Sequence, residues 1–400
     1  MIYFDHAATT PVDQNVRKAM EPYFTDKFGN PSSIYSIGLE AKDALNGARE
    51  SIAALLGVEK ASEIIFTSGA TEANNLAIKG VALYASQVLK VKPHIIVSAI
   101  EHHCVLHSAE YLEKYFGFEV TYLPANHEGI VDPLDVQKAI RENTAIVSVM
   151  YGNNEMGAVE PIAEIGEVIR KAKAERQKTA NKLPLVFHTD AVQAFQYIDI
   201  NVQDLGVDML SLTGHKFYGP KGVGLLYVKR GTKFLPQQQG GAQERNLRAG
   251  TENVPYIVGM AEAMKLVAKN RAENEKSIAT ICDYLIERVT KEIPDVELLG
   301  PGKLANRLPH IAAFLFKHIE GESILINLDM LDIAASSGSA CTSGSLEPSH
   351  VTRAMGLADI DAHGAVRFSL GKLNKKEDVD VLMKHLPQII QKLRDMSPIK

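Results

Sequence analysis

Seven short apolar runs, near residues 63–67, 94–99, 119–123, 144–150, 184–188, 207–212 and 223–228, alternate with helical patterns in the first part of the chain. Runs this short with little polar alternation suit strands buried on both faces, and strands separated by helices pair in parallel. The expected fold class is therefore α/β, with a mostly parallel seven-stranded sheet covered by helices on both faces. From about Ile257 the texture changes. Amphipathic helices, Ala261 to Ala268 and Ile278 to Ile293, lead into shorter strands around His310 to Phe316, Ile333 to Ser336 and Val366 to Ser369. This second part reads as a smaller α+β domain. A chain of 400 residues with 46% hydrophobic content can support about two such cores.

Ligands of open parallel sheets bind outside the carboxyl ends of the strands, and five of the apolar runs stop there in polar clusters. Val207 to Leu212 ends in Thr213-Gly214-His215-Lys216. A lysine held rigidly at a strand end, partly desolvated and beside anion-binding groups, has the setting needed to form a Schiff base with pyridoxal phosphate. Alone, it reads better as a surface lysine in a Gly-Pro turn; the other segments overturn that reading. Leu183 to Phe187 runs into His188-Thr189-Asp190, with Gln193 three residues on. Asp190 could keep a pyridine nitrogen protonated and Gln193 could donate to a phenolate oxygen; the aspartate could also cap a following helix. Glu63 to Phe66 turns through Thr67-Ser68-Gly69-Ala70-Thr71 into a helix beginning near Glu72. Backbone N–H groups and hydroxyls there, Ala70 and Thr71 among them, would make an anion cradle. His102, beyond the strand at 94–99, could stack on a cofactor ring and exchange protons. Asn153-Asn154-Glu155 follows the strand ending at Met150 in the same way.

Together with Tyr3 to Thr10, Phe28 to Ser33, Arg248-Ala249-Gly250-Thr251, Ser336 to Pro348 and Arg367 to Gly371, these segments make the chain resemble pyridoxal-phosphate cysteine desulfurases of the iron–sulfur-cluster and nitrogen-fixation type, within the class V aminotransferase family. The most specific match is Ser336 to Gly344, where Cys341 is flanked by small residues suited to a mobile loop tip. The resemblance implies pyridoxal-phosphate fold type I, with a large cofactor domain over 13–256. It implies a small domain over 1–12 and 257–400 that carries the cysteine loop, about 336–348. Catalysis would fall to Lys216, His102 and Cys341. Thr71, Thr213 and His215 would contact the phosphate, Asp190 and Gln193 the ring, and Thr251 the phosphate of a partner subunit in a homodimer. Arg367 would clamp the substrate carboxylate, with Asn154 and Asn30 as helpers, and Asn154 would also touch the cofactor. Thr213 departs slightly from relatives that carry serine there, but keeps the hydroxyl. The implied activity converts L-cysteine to L-alanine and leaves sulfur as a persulfide on Cys341 for an acceptor such as an iron–sulfur scaffold. Cys341 as a transient cluster ligand is the one metal contact the resemblance raises.

Composition narrows the alternatives. A net charge of −5 argues against a nucleic-acid surface. The sequence starts without a basic apolar leader and has no 18-residue apolar run, so a membrane anchor is not expected. Three cysteines, Cys104, Cys282 and Cys341, make no disulfide framework or metal spacing, which fits a reducing, cytoplasmic compartment. Cys104 and Cys282 read as packing residues. Three other readings share the motifs in part. An aminotransferase would use Asp190 and Lys216 without Cys341, and a selenocysteine lyase would carry a shorter, more rigid cysteine loop. A scaffold that has lost chemistry would not need Lys216, Asp190, His102 and Cys341 together.

Overall fold

The computed structural model describes all residues except 180, 182, 303–305, 338–347 and 398–400. Cys341 and most of its loop therefore lie outside the described residues. All seven expected strands form one sheet: β2 (Ile64–Thr67), β3 (His94–Ser98), β4 (Glu119–Leu123), β5 (Thr144–Ser148), β6 (Val186–Asp190), β7 (Met209–Thr213) and β8 (Gly224–Val228). β1 (Ile2–Tyr3) stands apart from it. The order is β2-β8-β7-β6-β5-β3-β4, with every pairing parallel except those of β8, which runs against both β2 and β7. Helices Ser36–Leu55, Ala70–Gln87, His103–Phe116 and Ile162–Gln177 cover it, and apolar clusters form on both faces.

The reversed β8 has a local consequence. Its first residue, Gly224, pairs with Thr67 at the end of β2 and with Thr213 at the end of β7. A Cβ on Gly224 would come within 2.6 Å of the Gly69 carbonyl carbon and 2.7 Å of Leu212 O. Only glycine lets these three backbones meet.

The second part forms a four-stranded antiparallel sheet, β12-β13-β10-β9, from β9 (Val296–Leu299), β10 (Ile311–Phe316), β12 (Ser336–Ser337) and β13 (Ala365–Ser369). The run expected at 333–336 divides: β11 (Ile333–Ala334) instead pairs in parallel with β1. The strand β9 is polar enough on one face to escape the sequence reading. Two separate helices were expected after Ile257, yet one 39-residue helix, Val254–Glu292, runs through. Its middle, Lys269 to Lys276, is polar and interrupts the apolar stripe, but six of its eight residues are Ala, Glu, Lys or Arg, which favour helix. One end packs Ile257, Met260 and Met264 into the large core; the other packs Ile278, Cys282 and Leu285 into the small one. The boundary proposed at 256/257 falls in the first turn of this helix. The first residues join the second part through Ile2 and Tyr3, and through a bridge from Asp5 to Ser369.

Candidate active site

A cavity of about 610 Å³ opens where the carboxyl ends of β2, β3, β5, β6 and β7 meet the amino-terminal segment and β13. Ala70, Thr71, His102, Asn154, Asp190, Gln193, Thr213, His215, Lys216 and Arg367 all line it. Its size suits a small cofactor and substrate.

One wall is an anion cradle. The helix begins at Ala70 rather than near Glu72, because Gly69 supplies the cap residue and has no side chain to occupy the first-turn N–H groups. Thr213 lies next to this turn and donates its hydroxyl to Val223 O at 3.0 Å. His215 Nδ1 lies 3.2 Å from Thr9 Oγ1, and burial, then the charges of Lys216 and Lys221, push this imidazole down to about 4. The cradle is braced from behind. Glu72 accepts from Ser68 N and Oγ at 2.7 and 2.5 Å and from both nitrogens of the Arg248 fork. Burial raises the Glu72 pKa, but these bonds outweigh it and hold the carboxylate below its ordinary range.

At the centre, Lys216 sits in a tight turn, Gly214–Lys216, directly after β7. Its Nζ donates to Ala7 O at 2.6 Å and Ala8 O at 2.8 Å. Gln193 Nε2 donates to the same Ala7 carbonyl at 2.9 Å. Asp190 is the last residue of β6. Turns follow it, not a regular helix; its Oδ1 accepts from Val192 N at 3.0 Å, and Asn74 donates to its Oδ2 at 2.5 Å. Burial raises the Asp190 pKa, while the Val192 and Asn74 bonds and the charge of Lys216 work to keep the carboxylate. His102 caps the helix His103–Phe116, its Nδ1 accepting from Cys104 N. Burial, then the neighbouring Lys216 charge, push His102 down to about 4. Cys104 packs against the apolar cluster, as expected, and also lines the cavity beside His102.

The far wall belongs to the second sheet. Arg367 lies in the middle of β13, within the strand expected at 366–369, and is 3% exposed. It donates from Nη2 to Asp5 Oδ1 at 2.7 Å and from Nη1 to the backbone carbonyl of Asn154 at 2.6 Å. Its Nε is buried without a partner among the described residues, so the guanidinium keeps a donor. Glu155 is a site residue given no role by the sequence. It lies in the cavity wall and accepts from Ser349 Oγ at 2.5 Å, just after the undescribed loop. Burial pushes Glu155 up to about 7, against the Ser349 bond and the nearby Arg367 charge.

Asn30 and Thr251 do not line this cavity, and both are exposed. Asn30 Oδ1 accepts from Ser32 N in its own turn. Among the described residues, no group of three or more His, Cys, Asp and Glu side chains is placed to hold a metal ion. No described helix is long and apolar enough to cross a membrane.

The cavity fits pyridoxal phosphate end for end: an uncapped helix terminus for a phosphate, a buried carboxylate for a ring nitrogen, and an amine for an aldehyde. The family model described as Aminotransferase class-V matches residues 2–382, and a cysteine desulfurase IscS of Dictyoglomus turgidum is 49% identical over 399 residues, covering 100% of this chain and 97% of that protein. The chain belongs to the class-V aminotransferases, among their cysteine desulfurases. Solved structures agree with the fold of this family. A NifS-like protein superposes with a TM-score of 0.88 at 36% identity, over 98% of this chain and 100% of that one. SspA in complex with cysteine superposes at 0.80 and 38% identity, over 93% and 99%. Class-V relatives of this kind use pyridoxal phosphate, and the residues above are the ones that would hold it here.

Proposed function

We propose that this protein converts L-cysteine to L-alanine and leaves the substrate sulfur as a persulfide on Cys341, supplying iron–sulfur cluster assembly or thiolation. The observation that carries this reading is the convergence of Lys216, Asp190 and Arg367 on one cavity, in a chain that aligns end to end with a curated cysteine desulfurase. When bound, pyridoxal phosphate supplies an electron-withdrawing ring that stabilises negative charge at the substrate Cα. The Asp190 carboxylate keeps the ring nitrogen protonated, and Gln193 holds the ring phenolate. Ala70, Thr71, Thr213 and His215 hold the phosphate. Arg367 clamps the substrate carboxylate, with Asn154 beside it. Lys216 or His102 takes the Cα proton and returns one to carbon. The thiolate of Cys341 attacks the substrate sulfur; the S–S bond forms, the Cβ–S bond breaks, and its electron pair goes to Cβ, which gains a proton. Atoms balance as cysteine plus enzyme thiol giving alanine plus persulfide.

The exposure of Thr251 outside its own cavity supports a homodimer in which this hydroxyl reaches the partner's phosphate site. Asn30, exposed and outside the same cavity, receives no role within one subunit. We further infer a cytoplasmic protein that hands sulfur to an acceptor, with Cys341 open to transient cluster ligation. The test is mass spectrometry of Cys341 after one turnover with L-cysteine. A gain of one sulfur, about 32 Da, is expected on wild type and none on Cys341→Ser. Equal sulfide release by both proteins would return the chain to a general class-V activity.

A further inference from the structure

Asn74, Cys104, His102 and Asp190 come from three separate segments and form one hydrogen-bonded chain beside the cavity. Asn74 is fully buried. Its Nδ2 lies 2.5 Å from Asp190 Oδ2 and 3.1 Å from Cys104 Sγ. Cys104 Sγ lies 3.0 Å from His102 Nδ1. Donor counting gives each bond its direction. A carboxylate only accepts, so the amide nitrogen of Asn74 faces Asp190; a flipped amide would set oxygen against oxygen. The second N–H of Asn74 then points to Sγ, which leaves the thiol proton for Nδ1. That same Nδ1 also accepts from the Cys104 backbone N–H at 3.2 Å. A ring nitrogen that accepts from two donors carries no proton, so the neutral imidazole keeps its proton on Nε2. Burial pushes the Cys104 thiol up to about 12, which keeps S–H present as a donor at neutral pH.

We propose that Cys104 is a positioning residue for the reaction: its S–H, oriented by Asn74, holds His102 in the Nε2–H tautomer and links that choice to Asp190. This rests on the pyridoxal-phosphate reading of the same site. Alanine at position 104 would keep the backbone cap but remove the thiol donor. Protonation of Nδ1 then meets less resistance, so the His102 pKa rises.

The test combines a tautomer readout with kinetics on the cofactor-loaded protein. Long-range proton–nitrogen NMR of histidine-labelled protein, with His102 assigned by its loss in His102→Gln, should show Nε2–H in wild type and in Cys104→Ser. Cys104→Ala should show a mixture. For Cys104→Ala we expect kcat to fall roughly three- to tenfold at unchanged KM, and the acidic limb of its kcat profile to move up by roughly half to one pH unit. Cys104→Ser, whose hydroxyl also donates, should restore both. An Nδ1–H tautomer in wild type overturns the proposal without any variant, and so does Cys104→Ala with tautomer, rate and profile unchanged. Cys104→Ser behaving like Cys104→Ala overturns it too, by reducing Cys104 to packing. A wild type that forms no alanine, but whose Nε2–H tautomer becomes a mixture in Cys104→Ala and not in Cys104→Ser, supports the proposal while the desulfurase reading fails.

Discussion

In the seven-stranded sheet Asp190, Thr213, His215, Lys216, His102 and Thr71 stand at or just beyond carboxyl strand ends, whereas the four-stranded sheet presents Arg367 from the middle of β13. At a strand end the backbone is leaving its ladder, so main-chain N–H groups, turns and helix termini can all face a ligand. In mid-strand the backbone is committed on both sides: Arg367 pairs with Ala313 and with Ser336. Only the side chain is left to act, and an ion pair with Asp5 aims it. One region works through backbone geometry and the other through a borrowed carboxylate. The first should therefore fail in turnover, the second in substrate affinity.

Lys216→Ala tests the strand-end half most severely. Without the amine, the covalent anchor and a carrier for the Cα proton are both gone, and kcat should fall by roughly a thousandfold or more. Alanine formation from L-cysteine reads this, and retention of weak cofactor binding would credit the phosphate cradle separately. Asp190→Asn comes next. It keeps the shape while removing the charge opposite the ring nitrogen, so kcat should fall on the order of a hundredfold with a smaller change in thermal midpoint. Unchanged turnover with lowered stability would reduce Asp190 to a turn residue bonded to Val192 N. Arg367→Lys should instead raise KM roughly ten- to a hundredfold, with kcat within a few-fold, because an ammonium cannot make the two-pronged contact. Steady-state kinetics that moved kcat and left KM alone would break the comparison.

A last effect, on stability and not on turnover or affinity, concerns the interior of the large sheet. His188 is fully buried, bonded to Ser148 Oγ at 2.8 Å and Ser211 Oγ at 3.0 Å, and burial pushes it down to about 3. The unfolded chain takes up this proton near the ordinary histidine value, the folded chain resists, and stability is lost as pH falls from about 6.5 toward 3. Against His188→Gln, the unfolding free energy of wild type should decline by roughly 1.4 kcal/mol per pH unit across that window. Urea titrations of both proteins at stepped pH measure it, and parallel lines would contradict it.

What could be read from the sequence follows the same division. An apolar run that stops in a polar cluster marks a strand end, so Lys216, Asp190, His102 and the Thr67–Thr71 turn were visible as a set, as were all seven strands. Residues whose part depends on long-range packing were not. Asn74 is one more polar residue in a helix until that helix lies against the end of β6, 116 positions away. Cys104 is filling, as it reads, but its helix register does not reveal that the first turn also faces the cavity. Asp5 gave no sign that it would hold Arg367, 362 positions on. The long helix Val254–Glu292 was split by its own polar middle, where periodicity fails although propensity holds.

The position of the first ten residues bears on how this protein is made. Ala7 and Ala8 supply the carbonyls that hold Lys216; the backbone after them is bonded to His215 and Tyr218, yet the backbone before them is fixed by β11 and β13, through Ile333, Ala334 and Ser369. On a ribosome the opening segment must wait for those partners. At roughly 5–20 residues per second, the delay is on the order of twenty to seventy seconds. Throughout that interval the large sheet can assemble while the carbonyls that aim the Lys216 amine are tethered on one side only, through Thr10 and His215. A nascent chain should therefore be a poor trap for pyridoxal phosphate, and loading should come after release.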